Sequence, residues 1–290
     1  MEEPVTHTRV SRAWIVPLVM AVVVVSATLL ESQAPSSAIT PTTTIKLFDG
    51  KSLANFDTWL VDHHEADPER VFTVVDQIDG ASAIRISGQI WGGLLTERAY
   101  RDYKLIVEYR WGGATWGERK DRTRDSGILL HAQGRPGNTR KDFNGPWLQS
   151  LEFQIIEGGV GDFIPVSGFT ETGEQVRPGM TIRSRKDRDG ENVFDPKGEP
   201  RAFSTGRVNW WGRSEDWEDR LGFRGKDDVE SPGLEWTRLE AIVAKGNLTY
   251  YVNGKLVNQG TDATVTEGKI MFQSEGAEIY FRRIDLEPLK

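Results

Sequence analysis

The chain has 290 residues, of which 38% are hydrophobic and 27% are charged, and its formal net charge is −7. This composition is typical of a soluble globular protein and argues against a disordered or an integral membrane protein. The sequence has no basic run that would suit nucleic acid, so a small molecule or a glycan is the expected partner. Because the sequence contains no cysteine, disulfides, thiol nucleophiles and thiolate metal sites are excluded.

The N-terminal segment has the outline of a secretory signal. Arg9 and Arg12 precede an apolar run over residues 14–30, and the small-residue stretch "APSSA" follows. This order predicts a signal peptide over residues 1–38 that exports the chain to the periplasm or out of the cell, with cleavage after Ala38. The alternative is an uncleaved membrane anchor over residues 14–30, because a run of this length is at the lower limit for crossing a bilayer. In either case the remaining chain is exported, and it is attached to the membrane only if this segment stays uncleaved.

The remaining chain is predicted to be a linker, residues 39–44, followed by one domain, residues 45–290. Alternating or apolar runs such as "AIRIS", "YKLIVEYRW", "SLEFQII" and "WTRLEAIVAKG" recur along the domain, whereas helical periodicity is nearly absent. Many short strands separated by Gly, Asn and Asp turns predict an all-β sandwich or barrel. Asn253 and Gly254 lie between two alternating runs and predict a two-residue hairpin turn. The charged, Gly-rich and Trp-rich stretch at about 165–232 is predicted to be a long loop insertion.

Two carboxylates and an amide follow one another in the run "SLEFQIIEGG". In a regular strand Glu152 and Gln154 share a face, whereas Glu157 falls out of phase and points into the opposite layer with Phe153. Because an unpaired buried carboxylate is costly, we expect a β-bulge at residues 155–156 that turns all three polar groups to one face. The alternative is that Glu152 and Glu157 cap turns or pair with nearby Arg side chains.

Other polar residues are candidates for the same site. Paired carboxylates suit sugar chemistry, because one can stay ionised while another keeps its proton for a leaving oxygen. The strand "KIMFQSE" places Gln273 and Glu275 on one face, although Glu275 precedes a Gly and has the alternative role of a turn residue. His131 ends the run "GILLH", and a lone histidine there is more often a structural residue than an acid or a ligand.

The insertion contains the run "RVNWWGRSEDW". Indole rings stack on the C–H faces of sugars while polar side chains bind the hydroxyls, so this run predicts a sugar platform. Its substrate-binding candidates are Arg207, Asn209, Trp211, Arg213 and Trp217. The alternative is that one or more of its tryptophans pack the insertion onto the domain, since large aromatic side chains are seldom left on a surface.

The order of the motifs resembles that of the 3-keto-disaccharide hydrolase family. The resemblance is carried by "KLFDGKSLANFDTWL", "DSGILLHAQG", "GPWLQSLEFQIIEGGVGDFIPV", "RVNWWGR" and "GKIMFQSEGAEIYFRRIDLEPL", and it extends over roughly residues 45–289. It implies a concanavalin A-like jelly-roll sandwich of two antiparallel sheets and an activity on glycosides oxidised at C3. The resemblance also implies a mechanism in which the ketone acidifies the neighbouring C–H bond, a base removes that proton, the aglycone leaves by elimination and water is added afterwards.

Individual positions carry the resemblance to different degrees. The run "LEFQIIEG" stands where many members have Y-E-x-Q-I-x-D, so Glu152 and Gln154 match and Glu157 replaces a common Asp. The run "FQSEGAEIYFRRI" stands where many members have L-Q-x-H-G and later F-R-N-I, so Gln273 and Arg282 match.

The resemblance also implies roles for these positions. Glu152 is expected to act as base or acid, with Glu157, Glu275 and His131 as candidate catalytic partners. Glu275 departs from the family pattern, in which this position is usually His. Gln154 and Gln273 are expected to orient the substrate through their amides.

Two other functions stay open at this point. A lectin-like carbohydrate-binding module has the same fold, and fold does not determine function. A jelly-roll glycoside hydrolase would need paired carboxyl groups at a defined spacing, and Gln154, which cannot share a proton, argues against it. The sequence requires no cofactor, and a divalent metal ion that polarises the keto oxygen is compatible with the resemblance.

Overall fold

The computed structural model of the chain describes Met1 and residues 38–290. By its internal contacts the chain divides into Met1–Ser36 and Ser37–Lys290, and the second unit carries the fold described below. The predicted signal or anchor over residues 1–38 lies almost wholly outside the described residues and stays a prediction. No helix in the described part of the chain is both long enough and apolar enough to cross a membrane.

The described residues form strands joined by turns, with one short 3₁₀-helix, Gly117–Arg119. In chain order the strands are β1 Ile45–Lys46, β2 Phe56–Leu60, β3 Phe72–Ile78, β4 Ala81–Ile86, β5 Gly92–Thr96, β6 Tyr103–Thr115, β7 Asp125–Gln133, β8 Gln149–Ile156, β9 Phe163–Val166, β10 Gly168–Phe169, β11 Gln175–Val176, β12 Met180–Lys186, β13 Asn192–Phe194, β14 Glu199–Phe203, β15 Thr237–Ala244, β16 Asn247–Val252, β17 Lys255–Thr261, β18 Lys269–Ser274 and β19 Ala277–Pro288.

Two large antiparallel sheets contain nearly all of these strands. The larger sheet has eleven strands in the order β13-β12-β17-β16-β15-β6-β19-β4-β3, with β1 added beside β19 and β14 beside β12. The smaller sheet has six strands in the order β2-β5-β18-β7-β8-β9, and β10 pairs with β11 alone. The prediction of an all-β sandwich of two antiparallel sheets is confirmed.

The core lies between the two sheets and follows from the alternation of side chains along each strand. In β8, Leu151, Phe153 and Ile155 are fully buried on the inner face. The ring of Phe153 stacks on that of Tyr250 in β16, with 4.3 Å between centroids, and so joins the two sheets. Each such side chain contributes about 1.5–3 kcal/mol on burial, which is how a chain without disulfides is held together.

The predicted hairpin at Asn253 and Gly254 is confirmed. Val252 pairs with Lys255, so the two residues between them form the whole loop. Their φ angles are 47° and 76°, the left-handed values that a type I′ turn requires and that Asn and Gly adopt at little cost.

The inserted segment is more regular than the sequence predicted. Strand β12, within the stretch predicted to be loops, pairs with β17, β14 and β13 and so extends the larger sheet. Its inward residues Met180, Ile182 and Ser184 are buried, whereas Arg183 and Arg185 point outwards. Alternation in this strand is hidden by its Ser and charged residues, which is why period-two apolar patterning did not reveal it.

A buried carboxyl group, Glu230, lies against the core. The hydroxyl of Tyr109 donates to its Oε1 at 2.7 Å, and Nε1 of Trp111 donates to the same atom at 2.6 Å. Burial raises the pKa of Glu230 to about 8, and the nearby charge of Asp228 adds to the effect. Near neutral pH the folded protein therefore holds this carboxyl group mainly in its protonated form.

We expect the Glu230→Gln substitution to remove one pH-dependent contribution to stability. The folded-state pKa lies above the ordinary value of 4.5. Between the two values the folded state binds more protons than the unfolded state, so stability falls as pH rises and levels off above about pH 8. Gln keeps an oxygen for both donors but does not titrate. The free energy of unfolding of the native chain should fall more steeply than that of the variant, by up to about 1.4 kcal/mol per pH unit.

Urea unfolding at pH 5, 6, 7 and 8 measures this difference. Glu235→Gln, a substitution of an exposed residue in the same loop, is the matched control and should follow the native chain. Equal slopes for the native chain and Glu230→Gln would contradict a raised pKa at this position.

Candidate active site

Polar side chains from three neighbouring strands share the outer face of the six-stranded sheet. Glu152 and Gln154 project from β8, on the face opposite to Phe153. Gln273 projects from β18, and Glu275 follows directly after this strand in the same phase. Strand β7 lies between β8 and β18, so the residues of β7 decide whether the two polar sets can meet.

Gly127 in β7 allows Glu152 and Gln273 to meet. It pairs with Gln154, and a Cβ atom at this position would overlap Oε1 of Glu152 and Oε1 of Gln273. The two oxygens thus lie over the same glycine, and the amide of Gln273 lies close enough to Glu152 to lower the pKa of that carboxyl group. Any side chain at residue 127 would separate the two groups, so the glycine is a requirement of the site. The interior glycine of "DSGILL" is the signal from which sequence reasoning could have found it.

Asp125, which the sequence analysis did not select, belongs to the same group. It begins β7 two residues before Gly127 and accepts a hydrogen bond from the guanidinium of Arg119. Its other oxygen, Oδ1, and Oε1 of Gln273 are buried and have no hydrogen-bond partner among the described residues. Buried acceptors of this kind call for a partner, and a substrate hydroxyl group is one that fits. The sequence pattern that could have identified Asp125 is its place two residues before Gly127, which puts both residues on the same face of the strand.

The three carboxyl groups influence one another's protonation. Burial raises the pKa of Glu152 to about 8, and the charge of Asp125 adds to the effect, against Arg207. Burial raises the pKa of Asp125 to about 6, opposed by Arg119. Burial, with Asp125 and Glu152 nearby, raises the pKa of Glu275 well above its usual range. At pH 7 Asp125 is therefore mainly ionised while Glu152 and Glu275 mainly keep their protons, the separation that acid and base roles require.

Asp162, also missed by the sequence analysis, anchors the inserted segment beside these groups. It is fully buried just before β9. Its Oδ1 accepts from the backbone N–H of Trp210 at 2.8 Å, while Oδ2 accepts from Arg213 and lies 3.4 Å from Nη1 of Arg207. Through Arg207 this anchor brings a positive charge close enough to lower the pKa of Glu152. Trp210 itself is buried, as the alternative interpretation of the tryptophans expected.

Glu157 does not join the carboxyl cluster, and the predicted bulge at residues 155–156 is absent. Strand β8 stays in regular register to its last residue, where Ile156 pairs with Asp125. Oε2 of Glu157 accepts from the backbone N–H groups of Arg124 and Gly222, both at 2.9 Å, and Nη1 of Arg124 donates to Oε1 at 2.6 Å. These donors satisfy the carboxylate, so it has the structural role that the sequence analysis kept as an alternative.

His131 also lies away from the cluster, because the bulge occurs on β7 instead. The pairing of β7 with β8 shifts between Leu130 and Gln133, and His131 has a φ of 54°. This turn directs its ring into the core, where the ring contacts Tyr103 edge-on and Nδ1 lies 3.0 Å from the carbonyl oxygen of Val265. Burial lowers the pKa of His131 to about 4, so the imidazole is neutral near pH 7 and structural.

The five candidates of the predicted sugar platform lie in different environments. Trp211 is 44% exposed and lines a cleft of about 660 Å³ together with Arg213. The guanidinium of Arg213 stacks over Trp217 at 4.5 Å. Asn209 is buried and donates to Glu191 at 2.6 Å. Trp211 is thus the member of the platform whose ring offers most surface to a ligand, while Asn209 holds the insertion together.

The described residues do not form a metal site. Within them, no group of three or more His, Asp or Glu side chains is arranged to hold a metal ion. The carboxyl cluster instead has Arg119 and Arg207 as its positive partners.

Comparison with known proteins gives a family and distant structural similarity. The model of a family described as 3-keto-alpha-glucoside-1,2-lyase-like domain matches residues 43–287. Two crystal structures of candidate glycosyl hydrolases from Parabacteroides distasonis are similar, with 15% and 18% identity and TM-scores of 0.47 and 0.44. They cover 86% and 85% of this chain and 94% and 99% of their own chains. A β-glucanase from Bacillus licheniformis is 10% identical over 85% of this chain and 92% of its own, with a TM-score of 0.36. No curated protein matches the sequence.

We expect Asp162→Asn to loosen the inserted segment. Asn keeps an oxygen for the N–H of Trp210 but leaves Arg207 and Arg213 without their carboxylate. Removing one partner of a buried ion pair costs about 3–5 kcal/mol. The variant should lose about 3 kcal/mol in the free energy of unfolding. Relative to the native chain, hydrogen exchange should become faster at the amides of residues 207–213, and by more than at the amides of β8.

Urea unfolding and hydrogen exchange measured by mass spectrometry test both expectations. The matched control is Asp262→Asn, an exposed position with a left-handed backbone that Asn tolerates. Unchanged exchange over residues 207–213 in Asp162→Asn would show that the segment is held by other contacts.

Proposed function

This chain belongs to the family of 3-keto-alpha-glucoside-1,2-lyase-like domains, and from this premise we propose that it cleaves 3-keto-glycosides by base-assisted elimination followed by hydration. The carbohydrate-active character of the domain follows from the family, whereas the reaction is the proposal. The observation that carries it is the buried Glu152, whose pKa is raised to about 8 and whose carboxyl group lies beside the amide of Gln273 over Gly127. A carboxylate with this pKa is a stronger base than an ordinary Glu and suits the removal of a proton from carbon.

The ketone makes the elimination accessible to such a base. A carbonyl group at C3 acidifies the C2–H bond, so the Glu152 carboxylate takes that proton and the bonding electrons form an enolate. The enolate then reforms the ketone, a double bond forms between C1 and C2, and the C1–O bond breaks to release the leaving group. Water adds across this double bond, with its hydroxyl at C1 and its proton at C2, and the sum of the steps is hydrolysis.

The neighbouring groups have separate roles in this proposal. The guanidinium of Arg207 faces the carboxyl groups and would stabilise the negative charge that develops on the enolate oxygen. Glu275, which keeps its proton near neutral pH, would protonate the leaving oxygen. The unpartnered Oε1 of Gln273 and Oδ1 of Asp125 would accept hydroxyl groups of the sugar.

A carbohydrate-binding module is the second candidate function. It is supported by the exposed indole of Trp211 in a polar cleft whose lining residues do not include Glu152 or Glu275. A binding module needs stacking and hydrogen bonds but no carboxyl group with a perturbed pKa. The pKa shifts on the sheet therefore favour the enzyme.

The proposal predicts selective turnover of oxidised substrate. A chromogenic 3-keto-glucoside should release its aglycone, whereas the unoxidised parent, which has no acidic C2–H bond, should not react. Glu152→Gln should lower kcat/KM by about 10²–10⁴-fold, the usual contribution of a general base. Glu171→Gln, at an exposed loop position, should match the native chain. Equal turnover of both compounds would indicate an ordinary glycoside hydrolase, and binding of oligosaccharides without any turnover would indicate the binding module.

The pH profile gives a second, independent prediction. Because Glu152 must be ionised to act as the base and its pKa is raised to about 8, kcat/KM should rise about tenfold per pH unit up to about pH 8. Asp125→Asn removes a negative charge that raises this pKa, so the rising limb should move to lower pH by about one unit.

Stopped assays between pH 5 and 10 measure both profiles. Asp228→Asn is the matched control, because Asp228 lies beside Glu230 rather than in the cluster, and its profile should coincide with that of the native chain. If kcat/KM of the native chain instead rose near pH 4–5, the base would be a carboxylate with an ordinary pKa and not the buried Glu152.

A further inference from the structure

Trp91 directly precedes the strand that pairs with the segment carrying Gln273 and Glu275, and the proposed mechanism gives it no role. This strand is β5, in which Gly93 pairs with Gln273 and Gly92 pairs with Ser274 of β18. If this antiparallel pairing continued by one residue, Trp91 would face Glu275. The hydroxyl of Ser274 donates to the carbonyl oxygen of the residue before Trp91 at 2.6 Å, so the loop that carries the indole is fixed to the segment that carries Glu275.

A second tryptophan, Trp147, supports the ring of Trp91. The two indoles stack with 5.5 Å between centroids and 24° between planes. Nε1 of Trp147 donates to the carbonyl oxygen of Gly92 at 3.1 Å. Trp147 also packs against the apolar cluster that contains Leu129 and Met271, which lie on the same sheet face as Glu152 and Gln273. The indole pair is therefore a rigid extension of the sheet face that holds the carboxyl groups.

Trp91 also borders a cleft of about 550 Å³ whose wall is partly apolar, from Val61, Ile90 and Pro146, and partly polar. Asp62, His63, Gln89 and Arg140 line it together with Trp91. His63 and Arg140 are exposed, and their side chains have no hydrogen-bond or ion-pair partner among the described residues. Oδ1 of Asp62 accepts from the side chain of Asn144 at 2.7 Å, which leaves its second oxygen for a ligand.

This combination matches a sugar ring better than an aromatic group. An indole face takes the C–H groups of a pyranose, and the charged and amide groups around it bind hydroxyls that point sideways. A purely aromatic leaving group would stack on Trp91 but would leave the donors of His63 and Arg140 unused. The segment that carries Trp91 is tied to the end of β18, directly before Glu275. Because the proposed mechanism assigns Glu275 to the leaving oxygen, we assign the cleft to the leaving-group side of the bond that breaks.

We infer that Trp91 and the cleft beside it form a subsite for the leaving group, and that this subsite makes the chain prefer a sugar over a non-sugar at that position. The kinetic consequence of the subsite rests on the proposed function. The binding of a sugar at Trp91 does not, because it can be measured without turnover.

The experiment compares two substrates that share the same 3-keto-glucosyl ring, one with a glucose leaving group and one with a methyl leaving group. Trp91→Ala should lower kcat/KM about tenfold for the disaccharide and less than about twofold for the methyl compound, since stacking of this kind is worth about a factor of ten. Trp91→Phe should retain most of the activity on the disaccharide. Arg140→Ala changes an exposed side chain without a partner among the described residues. It should lower kcat/KM for the disaccharide about threefold to fivefold without affecting folding.

The matched control is Trp236→Ala, because Trp236 is half-buried beside Arg110 and Arg282 rather than at the cleft. It should leave the ratio of the two kcat/KM values unchanged. Equal losses on both substrates in Trp91→Ala, or no loss on either, would overturn the subsite while the proposed function stands.

A binding measurement separates this inference from the proposed reaction. Calorimetric titration of the full chain carrying Glu152→Gln with the 3-keto-disaccharide, with and without Trp91→Ala, should show about tenfold weaker binding in the double variant. If no keto compound is turned over by the native chain but this difference is found, the proposed reaction is wrong and the subsite stands. If the two dissociation constants agree, the subsite is wrong whatever the activity.

Discussion

The contact between Glu152 and Gln273 over the bare backbone of Gly127 is the constraint on which the site depends. It requires three neighbouring strands in fixed register and a central strand without a side chain at one position. Because the contact is buried, the carboxyl group loses its hydration and holds its proton more tightly. The acidity of the site is thus a property of the sheet's register and not of Glu152 alone.

Much of the architecture was accessible from the sequence, because alternation along a strand reports directly which face is buried. It identified the inner residues of β8, the Asn253–Gly254 turn and the shared face of Glu152 and Gln154. Strand β12 escaped detection because Ser184 fills an inward position where an apolar residue would have completed the pattern. The extent of an element is set by its partners as much as by its own residues.

The composition of the site was harder to predict than the fold. Whether Asp125 joins Glu152 depends on the pairing of β7 with β8, which one sequence does not contain. The same limit explains the bulge: a bulge was expected on β8 to avoid burying Glu157, but donors from Arg124 and Gly222 satisfy that carboxylate. The bulge lies on β7 instead, where His131 turns into the core.

The attachment of the insertion through Asp162 divides the site between two parts of the chain with different freedom to change. The carboxyl groups are built into the sheet, where a substitution disturbs the register and the packing, whereas Arg207 belongs to the inserted segment and is held there by Asp162. Inserted segments vary more readily than sheet strands. Relatives with the same sheet and a different insertion would therefore have the same carboxyl groups but a different positive charge beside them. Sequence changes in the insertion alone would then shift the pKa of the base, and with it the pH of highest activity, while the two sheets stay the same.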